Sequence, residues 1–300
     1  MEGLRTKEFF SFMRKREAIR TARALNQPWP WTDDVIFQQY KFTNIKREHD
    51  KTSRLLIEEF YRPNARAKGD VILFNATVAR YFGTIEMMRA VGWTDQPNKR
   101  ALERIRKIAR ERMARGERVF TGAYMISNLR MPNPKEDIVC DVYLKGVMNH
   151  ADLIVDAILK QYHWRDAIEA LREVRGFGGT GFMAKEVISD TRYTDLWPSG
   201  TPKDVNTWTP VGPGSKRGAA RVLGRTERTN KGKIAKLTED ETLAVCLALF
   251  GERDKHWPKG PKEVVLELHD IQFQLCEFDK YERVRLGEGR PRSLYRHSKK

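Results

Sequence analysis

The amino-acid sequence predicts an all-α protein, and three observations support this fold class. Hydrophobic residues recur at helical spacing along most of the 300-residue chain. Only VFTGAYMI (119–126) resembles a strand, and the same residues could form a buried turn. No GxGxxG loop joins a strand to a helix, which argues against a Rossmann fold. The hydrophobic content of 40% is enough for a substantial core, so we expect one helical domain over 1–300, built from two packed lobes.

The expected helices follow one another along the chain. The clearest signal lies in 261–280, where the hydrophobic residues between Val264 and Phe278 form a single helical stripe. Residues 6–25 and 96–116 predict two basic amphipathic helices, and Gly116 stands where the second is expected to end. Shorter helices are expected at 33–40, 46–60, 70–82, 137–160, 165–174 and 238–250.

Charge and composition restrict the class of partner. Lys+Arg 56 against Asp+Glu 40 gives a net charge of +16, which favours a polyanion, usually nucleic acid. No hydrophobic run approaches the ~18–20 residues of a membrane span, and no signal peptide is visible. The cysteines Cys140, Cys246 and Cys276 form neither a disulfide framework nor a zinc pattern, which fits a reducing cytoplasm. No cofactor or metal is expected, because the histidines make no HxxxH pair; carboxylates that hold Mg²⁺ stay open.

The segment ALREVRGFGGTGFMAKEVI (170–188) has the outline of a helix-hairpin-helix, which we place at about 165–189. This module binds duplex DNA without reading its sequence. Gly176 and Gly178 permit a tight hairpin, and the backbone N–H groups at the start of the next helix suit phosphate. We therefore predict DNA contacts at Gly176, Gly178 and Thr180. The alternative is an ordinary turn between two helices.

Residues 190–236 are rich in glycine and proline and predict a long irregular loop with a function. Within it, PVGPGSKRGAARVL (210–223) places Gly214 and Ser215 in a turn, with Ser215 as the expected N-cap. Lys216 and Arg217 would then lie in the first helical turn, where cations oppose the helix dipole but suit a bound phosphate or pyrophosphate. The alternative is a basic surface turn that contacts the DNA backbone.

Two further segments carry candidate site residues. If KFTNIKREHDKTSRLL (41–56) is helical, Asn44, Arg47, Asp50 and Arg54 form either a binding face for an anion and an amine or a solvated ladder of ion pairs. In LHDIQFQLCEFDKYERVR (268–285), the buried stripe leaves Cys276, Glu277 and Lys280 on its flanks. Cys276 is interpreted as a small core residue rather than a nucleophile, because nothing nearby signals a lowered thiol pKa.

Taken together, these segments resemble a phage family, the amino acid:DNA transferases or alpha-glutamyl/putrescinyl thymine pyrophosphorylases, which is related to the helical domain of 5-hydroxymethyluracil DNA kinases. The matching pieces lie in order between Trp31 and Arg296: KFTNIKREHDKTSRLL, VFTGAYMI, REVRGFGGTGFMAKEVISDTRY, DVNTWTPVGPGSKRG and LCEFDKYERVRLGEGRPR. The resemblance implies an α-helical fold akin to helix-hairpin-helix DNA glycosylases. It also implies a substrate base, phosphorylated 5-hydroxymethyluracil, within double-stranded DNA.

Two departures refine this expectation. The kinases carry a P-loop domain, and no GxxxxGK[ST] occurs in this sequence, which points to a transferase that acts after a separate kinase. Bifunctional glycosylases place a lysine where Thr180 stands here. The aspartates Asp190, Asp195 and Asp204 do not stand at the spacing that glycosylases use, which argues against simple base excision.

The reaction expected from this resemblance joins a free amino acid, such as glycine or glutamate, through its amine to the 5-methylene of the modified uracil. Phosphate or pyrophosphate leaves, and the modified phage DNA resists host restriction in the host cytoplasm. We assign leaving-group binding to Gly214, Ser215, Lys216, Arg217 and Arg54, and the general base to Asp204 or, as second choice, Asp50. The alternatives are a glycosylase-like enzyme that excises the base and a non-catalytic DNA-binding module.

DNA phosphates are expected to contact the helix at 96–116, through Arg106 and Lys107, the hairpin at 176–178, and the tail 283–300. Binding should therefore weaken steeply with salt and show little sequence preference. The target base must leave the helix stack to meet both the amine and the leaving-group site. Trp208, Trp197 or Phe182 could fill the space that it vacates.

Overall fold

The fold is given by a computed structural model that describes residues 3–122, 125–197, 200–225, 227–230, 232, 234–257, 264–291 and 293–297. Within these residues the α-helices are α1 (Thr6–Ala24), α2 (Val35–Gln39), α3 (Lys51–Leu56), α4 (Gly69–Phe82), α5 (Ile85–Val91), α6 (Lys99–Ala114), α7 (Lys135–Ile138), α8 (Lys145–Gln161), α9 (Trp164–Arg172), α10 (Phe182–Thr191), α11 (Pro213–Val222), α12 (Glu239–His256) and α13 (Leu268–Arg285). β pairing in the described residues is limited to two isolated bridges, Tyr40 with Leu294 and Arg228 with Ile234. The all-α prediction is confirmed.

The chain divides into two compact units. The terminal unit contains Met1–Asp50 and Asn206–Lys300, and the central unit contains Lys51–Val205. Residues 51–205 are thus continuous in sequence, whereas the terminal unit is assembled from both ends of the chain. Among the described residues, no helix is both long enough and apolar enough to cross a membrane.

The core of the terminal unit is built on aromatic residues of α1. Phe9 and Phe12 meet the ring of Phe278 on α13 edge to face, at centroid distances of 5.6 and 5.4 Å. Helix α11 approaches α13 so closely that a Cβ on Gly218 would lie 2.0 Å from the Leu275 carbonyl oxygen. A glycine at this position therefore permits two backbones to touch.

The core of the central unit surrounds α4, which is buried along nearly its whole length. Its Arg80 is buried and donates from Nε to Asp190 Oδ2 (2.6 Å), and the same oxygen accepts from the Tyr61 hydroxyl (2.7 Å). Glu186 Oε2 lies 3.7 Å from Arg80. Because every charge in this cluster has a partner, its burial is compensated.

Most helices lie where the sequence predicts them, and three differences have local causes. The helix expected over 261–280 begins at Leu268, because the Glu267 N–H donates to Asp270 Oδ2 (2.8 Å) and starts the helix there; residues 261–263 lie outside the described residues. The helix expected over 46–60 is interrupted: residues 47–49 form a 3₁₀ turn, and the extended backbone of Asp50 precedes α3. Helix α5 was not predicted, since it has only seven residues.

The segment VFTGAYMI contains no strand among its described residues, 119–122 and 125–126. Val119 and Ile126 are buried, which agrees with the buried-turn interpretation. Residues 123 and 124 lie outside the described residues.

Candidate functional site

A pocket of about 390 Å³ opens in the terminal unit and is rich in both arginine and aromatic rings. Arg16, Arg20 and Arg23 reach it from successive turns of α1, and Thr43 and Asn44 contribute from the segment after α2. Its remaining walls include Trp29, Trp31, Phe37, Phe42 and Tyr295. We call this cavity the aromatic pocket.

Arg16 is the most unusual residue of the pocket, because its side chain is buried (5% exposed) and incompletely bonded. One guanidinium nitrogen donates to Gln274 Oε1, and the group stacks on Phe12 and Phe42 with centroid distances of 5.0 and 5.6 Å. Its Nε and Nη2 have no hydrogen-bond partner within the described part of the chain. A buried cation with unused donors is suited to an incoming anion.

The electrostatic surroundings of Arg16 are shaped by burial and by two carboxylates. Burial lowers the pKa of Arg16 to about 10, and the negative charges of Glu277 and Asp50 act in the opposite direction. The guanidinium therefore stays charged at neutral pH although it is desolvated.

Asp50 is the carboxylate that the sequence analysis named as its second choice for the base. Its Oδ1 accepts two hydrogen bonds from Asn44, from the backbone N (3.1 Å) and from Nδ2 (3.0 Å). Burial raises the pKa of Asp50, while the Asn44 hydrogen bond and the charges of Arg47 and Arg16 oppose this shift. A carboxyl with a raised pKa is a stronger proton acceptor than an exposed one.

A hydrogen-bond network from α13 connects these groups. Gln274 receives the Arg16 bond and donates from Nε2 to the carbonyls of Asn44 (3.1 Å) and Ile45 (3.2 Å). Glu277 accepts from the Thr43 N–H (3.2 Å), and Lys280 Nζ lies 2.9 Å from the same carboxylate. Asn44 and Asp50 thus lie in one hydrogen-bond network with Arg16 and Gln274, and Glu277 and Lys280 bind beside it, at the backbone of Thr43.

The predicted leaving-group site around α11 has a different geometry from the one expected. The N-cap is Gly212 rather than Ser215; Ser215 stands three residues later, and its Oγ accepts from the Gly212 N–H (3.0 Å). Arg217 binds buried Asp279 (2.9 Å), and Lys216 binds Glu239 (3.1 Å). Because both cations already have carboxylate partners, this turn offers less free positive charge than Arg16 does.

Gly214 serves packing at the same turn. A Cβ on this residue would lie 3.0 Å from Cys276 Sγ. The partly buried Cys276 therefore packs against α11, which agrees with its interpretation as a small packing residue.

The predicted binding face over 41–56 does not form as one helix. Arg47 belongs to the 3₁₀ turn of the terminal unit, whereas Arg54 lies on α3 of the central unit. Arg54 pairs with Glu58 at 4.0 Å, and both side chains are exposed. The interpretation of Arg54 as an ion-pair residue fits this geometry better than phosphate binding.

Asp204, the first choice for the base, caps a helix of the central unit. Its Oδ1 accepts from the Trp164 N–H (2.5 Å) and its Oδ2 from the Arg165 N–H (2.9 Å), at the first two residues of α9. Both oxygens therefore satisfy backbone donors that the helix itself leaves unpaired. This arrangement favours Asp50 over Asp204 as the base, and the role of each stays a prediction.

The predicted helix-hairpin-helix corresponds to α9, a nine-residue loop and α10. The second helix does not follow Gly178 at once, because it begins at Phe182 after Gly181, whose φ is 67°. Gly176 (φ 95°) lies against the Tyr143 ring, where a Cβ would come within 2.1 Å of Cε1. Gly178 and Thr180 are exposed at the tip of the loop, so contact of these residues with DNA stays a prediction.

The basic helix α6 presents its two predicted DNA contacts differently. Arg106 binds Asp137 (2.9 Å) and Asp141, and its side chain is only 20% exposed. Lys107 is 77% exposed and 3.8 Å from Glu111. Lys107 is therefore available to a phosphate, whereas Arg106 is engaged in ion pairs; contact of either residue with DNA stays a prediction.

The predicted tail contacts and stacking residues also separate by environment. Arg283 and Arg285 pair with Asp279 (3.5 Å) and Glu282 (2.7 Å) along α13; residues 292 and 298–300 lie outside the described residues. Trp197 is buried and donates to Thr191 Oγ1 (2.9 Å), so it is a core residue. Phe182 is 42% exposed and Trp208 is half-buried.

A second cluster of charged side chains lies at the start of α13. His269 has Nδ1 3.2 Å from Glu267 and Nε2 3.4 Å from Asp270, a grouping that could hold a metal ion. The Lys46 ammonium lies 2.9 Å from Asp270 and supplies positive charge at that carboxylate. Burial raises the pKa of Asp270 to about 6, against the opposing charge of Lys46.

Sequence reasoning missed the residues that give the aromatic pocket its character: Arg16, Trp29, Trp31 and Tyr295. The charge of α1 was recognised, but Arg16 looked like any other cation on a basic helix. Its position between Phe12 and Ile19 on the helix was the available signal, because that places it towards the buried face.

Comparison with known proteins shows which family this chain is related to. Residues 5–290 match the family described as "5-hmdU DNA kinase, helical domain". The "5-hmdU DNA kinase" of Bacillus phage SP10 is 26% identical over 273 residues, which cover 84% of this chain and 40% of that kinase. The chain therefore spans less than half the length of this relative. No solved structure matches the chain.

Proposed function

The chain belongs to the family of 5-hmdU DNA kinase helical domains, and from this premise we propose that it transfers an amino acid to phosphorylated 5-hydroxymethyluracil in phage DNA. The amine of glycine, glutamate or a similar amino acid replaces phosphate or pyrophosphate on the 5-methylene carbon. A separate kinase, of the kind named for the phage SP10 relative, supplies the phosphorylated base. The product is a hypermodified thymidine that protects viral DNA from restriction in the host cytoplasm.

The observation that carries this proposal is the pairing of an unsatisfied buried cation with a nearby basic carboxylate. Arg16 has two nitrogens without partners, and the charge of Asp50 acts directly on it. Displacement of phosphate by an amine needs these two elements: a donor group for the departing oxygens and an acceptor for the amine proton.

In the proposed reaction, the amine nitrogen forms a bond to the 5-methylene carbon as the carbon–oxygen bond to phosphate breaks. The bonding electrons leave with the phosphate, whose oxygens accept from Arg16. Asp50 first takes a proton from the ammonium group of the amino acid, which frees the nitrogen lone pair for attack, and its raised pKa suits that step. Asn44 holds the carboxylate through two hydrogen bonds and so fixes its direction.

Lys216 and Arg217 are not assigned to the leaving group, because each has a carboxylate partner in its own unit. Glu277 and Lys280 support the network rather than the chemistry. Thr43 and Lys280 hold Glu277 at 3.2 and 2.9 Å, which keeps a negative charge close to Arg16. Such a charge prevents the buried guanidinium from losing its proton.

The test incubates the protein with duplex DNA that contains 5-phosphomethyluracil and a mixture of amino acids, followed by digestion to nucleosides and mass spectrometry. We expect a nucleoside whose mass corresponds to loss of phosphate and gain of an amino acid. Recovery of only the input nucleoside with every amino acid would overturn the proposal. Abasic sites without an adduct would indicate base excision instead, and binding without any product would indicate a DNA-binding module.

A further inference from the structure

The aromatic pocket combines aromatic rings with arginine side chains around an open cavity, an arrangement that core packing alone does not require. Three half-buried rings, Trp29, Trp31 and Tyr295, line a cavity whose walls also include the cations Arg16, Arg20 and Arg23 of α1. Trp31 stands perpendicular to Trp29 at a centroid distance of 5.0 Å, and Tyr295 lies nearly parallel to Trp29 at 5.5 Å. Trp29 also stacks on His297 at a centroid distance of 4.9 Å, and the three rings border an open volume of about 390 Å³.

The volume of the pocket and its charge are matched to a small anionic aromatic molecule. Sites for small molecules span about 300–1,000 Å³, and the pocket, at about 390 Å³, lies near the lower end of that range. A ligand as small as a pyrimidine with one phosphate suits a pocket of this size. Arg23 lies over the Trp31 ring at 5.1 Å, and Arg16 carries unused donors on the wall of the same cavity. The pocket thus pairs stacking surfaces for a flat ring with a donor site for an anion.

We propose that the aromatic pocket is the seat of the modified pyrimidine, which leaves the duplex, stacks against the rings of Trp29, Trp31 and Tyr295, and directs its anionic 5-substituent towards Arg16. This inference rests on the proposed function, since it names where the substrate base binds. A base inside a duplex cannot enter a cavity, so extrusion of the nucleotide is required. Thr43 Oγ1, which is buried and has no partner among the described residues, is available to the polar edge of the ring.

The pocket owes one wall to the segment that follows α13. The Tyr295 N–H donates to the Gln39 carbonyl (2.8 Å), and the Lys41 N–H donates to the Ser293 carbonyl (3.1 Å). These two bonds fix Tyr295 beside Trp29 and Trp31. The seat is thereby built before any ligand arrives, which lowers the entropic cost of binding.

The experiment measures extrusion without requiring the transfer reaction. A 2-aminopurine is placed next to 5-phosphomethyluracil in a duplex, and its fluorescence is recorded with the protein and without any amino acid; anisotropy of a labelled duplex gives the affinity. We expect a fluorescence rise with the natural protein that Trp31→Ala and Tyr295→Ala each remove. Each replacement should also weaken affinity for the modified duplex by about 5- to 150-fold, the range for loss of one stacking ring.

Trp93→Ala is the matched control, because Trp93 lies in the central unit and does not line the pocket; it should keep both the fluorescence rise and the affinity. Thermal melts verify that each variant is folded. If Trp31→Ala does not fold, the test is decided by Tyr295→Ala. The inference is overturned if both ring variants retain the full fluorescence rise, or if the natural protein gives none. If the ring variants lose the fluorescence rise but the natural protein forms no amino-acid adduct in the transfer assay, the pocket binds the base and the transferase function is refuted.

Discussion

Asn44 donates twice to a single oxygen of Asp50, once from its backbone and once from its side chain, at 3.1 and 3.0 Å. Oδ2 of Asp50 accepts no hydrogen bond from the described residues. The carboxylate is therefore oriented through one oxygen and open at the other. An oriented carboxyl with one open oxygen is suited to accept a proton from a bound amine.

We predict that Asp50→Asn lowers transfer activity by about 10²–10⁴-fold, the range for loss of a general base. The pKa of Asp50 is raised by burial, so activity of the natural enzyme should fall as the pH falls through a value above that of an ordinary aspartate. The measurement is the rate of adduct formation with saturating DNA across pH 4–8. The variant should lose this acidic limb.

Asp204→Asn is the control for that prediction, because it changes the carboxylate that caps α9. We expect a loss of about 0.5–2 kcal/mol in the free energy of unfolding, with turnover intact at saturating substrate. If Asp204→Asn abolished turnover in a folded protein while Asp50→Asn did not, the base would be Asp204 after all.

A second prediction compares two arginines. Arg16→Lys retains the charge but loses the planar donor fork, and we expect turnover to fall by about 10²–10³-fold. Arg217→Lys should leave turnover within about threefold, since Arg217 binds Asp279 at 2.9 Å and Arg221 also binds that carboxylate. Single-turnover rates at saturating DNA decide between them, and the reverse pattern would move the leaving-group site to α11.

The third prediction concerns pH and stability. Burial raises the pKa of Asp270 to about 6, so the folded state binds its proton more tightly than the unfolded state. The corresponding stability is present below the unfolded pKa of about 4 and is lost as the pH rises through 6. The unfolding free energy of the natural protein, relative to that of Asp270→Asn, should therefore fall by about 2 kcal/mol between pH 4 and pH 7. Urea denaturation at several pH values measures it, and a constant difference would contradict it.

A fourth prediction addresses the close approach of α11 and α13. Gly218→Ala places a methyl group on the Leu275 carbonyl and should reduce stability by about 1–3 kcal/mol. Gly251→Ala on α12 meets no atom within 4 Å and should increase stability by about 0.4–1 kcal/mol. Thermal unfolding of the two variants provides the comparison, and equal effects would show that the two helices can separate at little cost.

The fifth prediction separates the two basic residues of α6. Lys107→Ala should reduce the salt dependence of DNA binding by about one phosphate contact, because this exposed lysine is available to the backbone. Arg106→Ala should leave that slope unchanged and lower thermal stability, because its partners are Asp137 and Asp141. The logarithm of the dissociation constant against the logarithm of salt concentration gives both slopes. A change of slope in Arg106→Ala alone would reverse the assignment.

The fold class could be predicted from sequence because hydrophobic spacing is a local property. It located α1, α4 and α6 within a few residues, and it located the start of α12 but ended that helix six residues too early. The start of α13 was placed too early, because the preceding extended segment ends at a hydrogen bond from the Glu267 backbone N–H to the Asp270 carboxylate. Hydrophobic periodicity carries no information about such a cap.

The site was only partly predictable, since its polar bonds join distant parts of the chain. Asn44, Asp50 and Glu277 were named from short-range patterns, but nothing local indicated that Gln274 would bridge Arg16 to Asn44. The capping contacts of Asp204 were missed for the same reason, because its partners at α9 lie about forty positions earlier. Residue types can suggest chemistry, whereas tertiary contacts decide which of those residues are already occupied.

The division of the terminal unit between both ends of the sequence affects when the site can form during synthesis. The contact between Arg16 and Gln274 spans 258 positions, and the whole of Lys51–Val205 lies between them. Domains generally fold as units while translation continues, so the central unit is able to fold on the ribosome before α13 has been made. Until then Phe9, Phe12 and Arg16 of α1 lack their partners on α13, Phe278 and Gln274. A polypeptide whose synthesis stops before α13 would therefore contain a folded central unit and an α1 with an exposed hydrophobic face. Such a product would depend on chaperones and would not act on DNA.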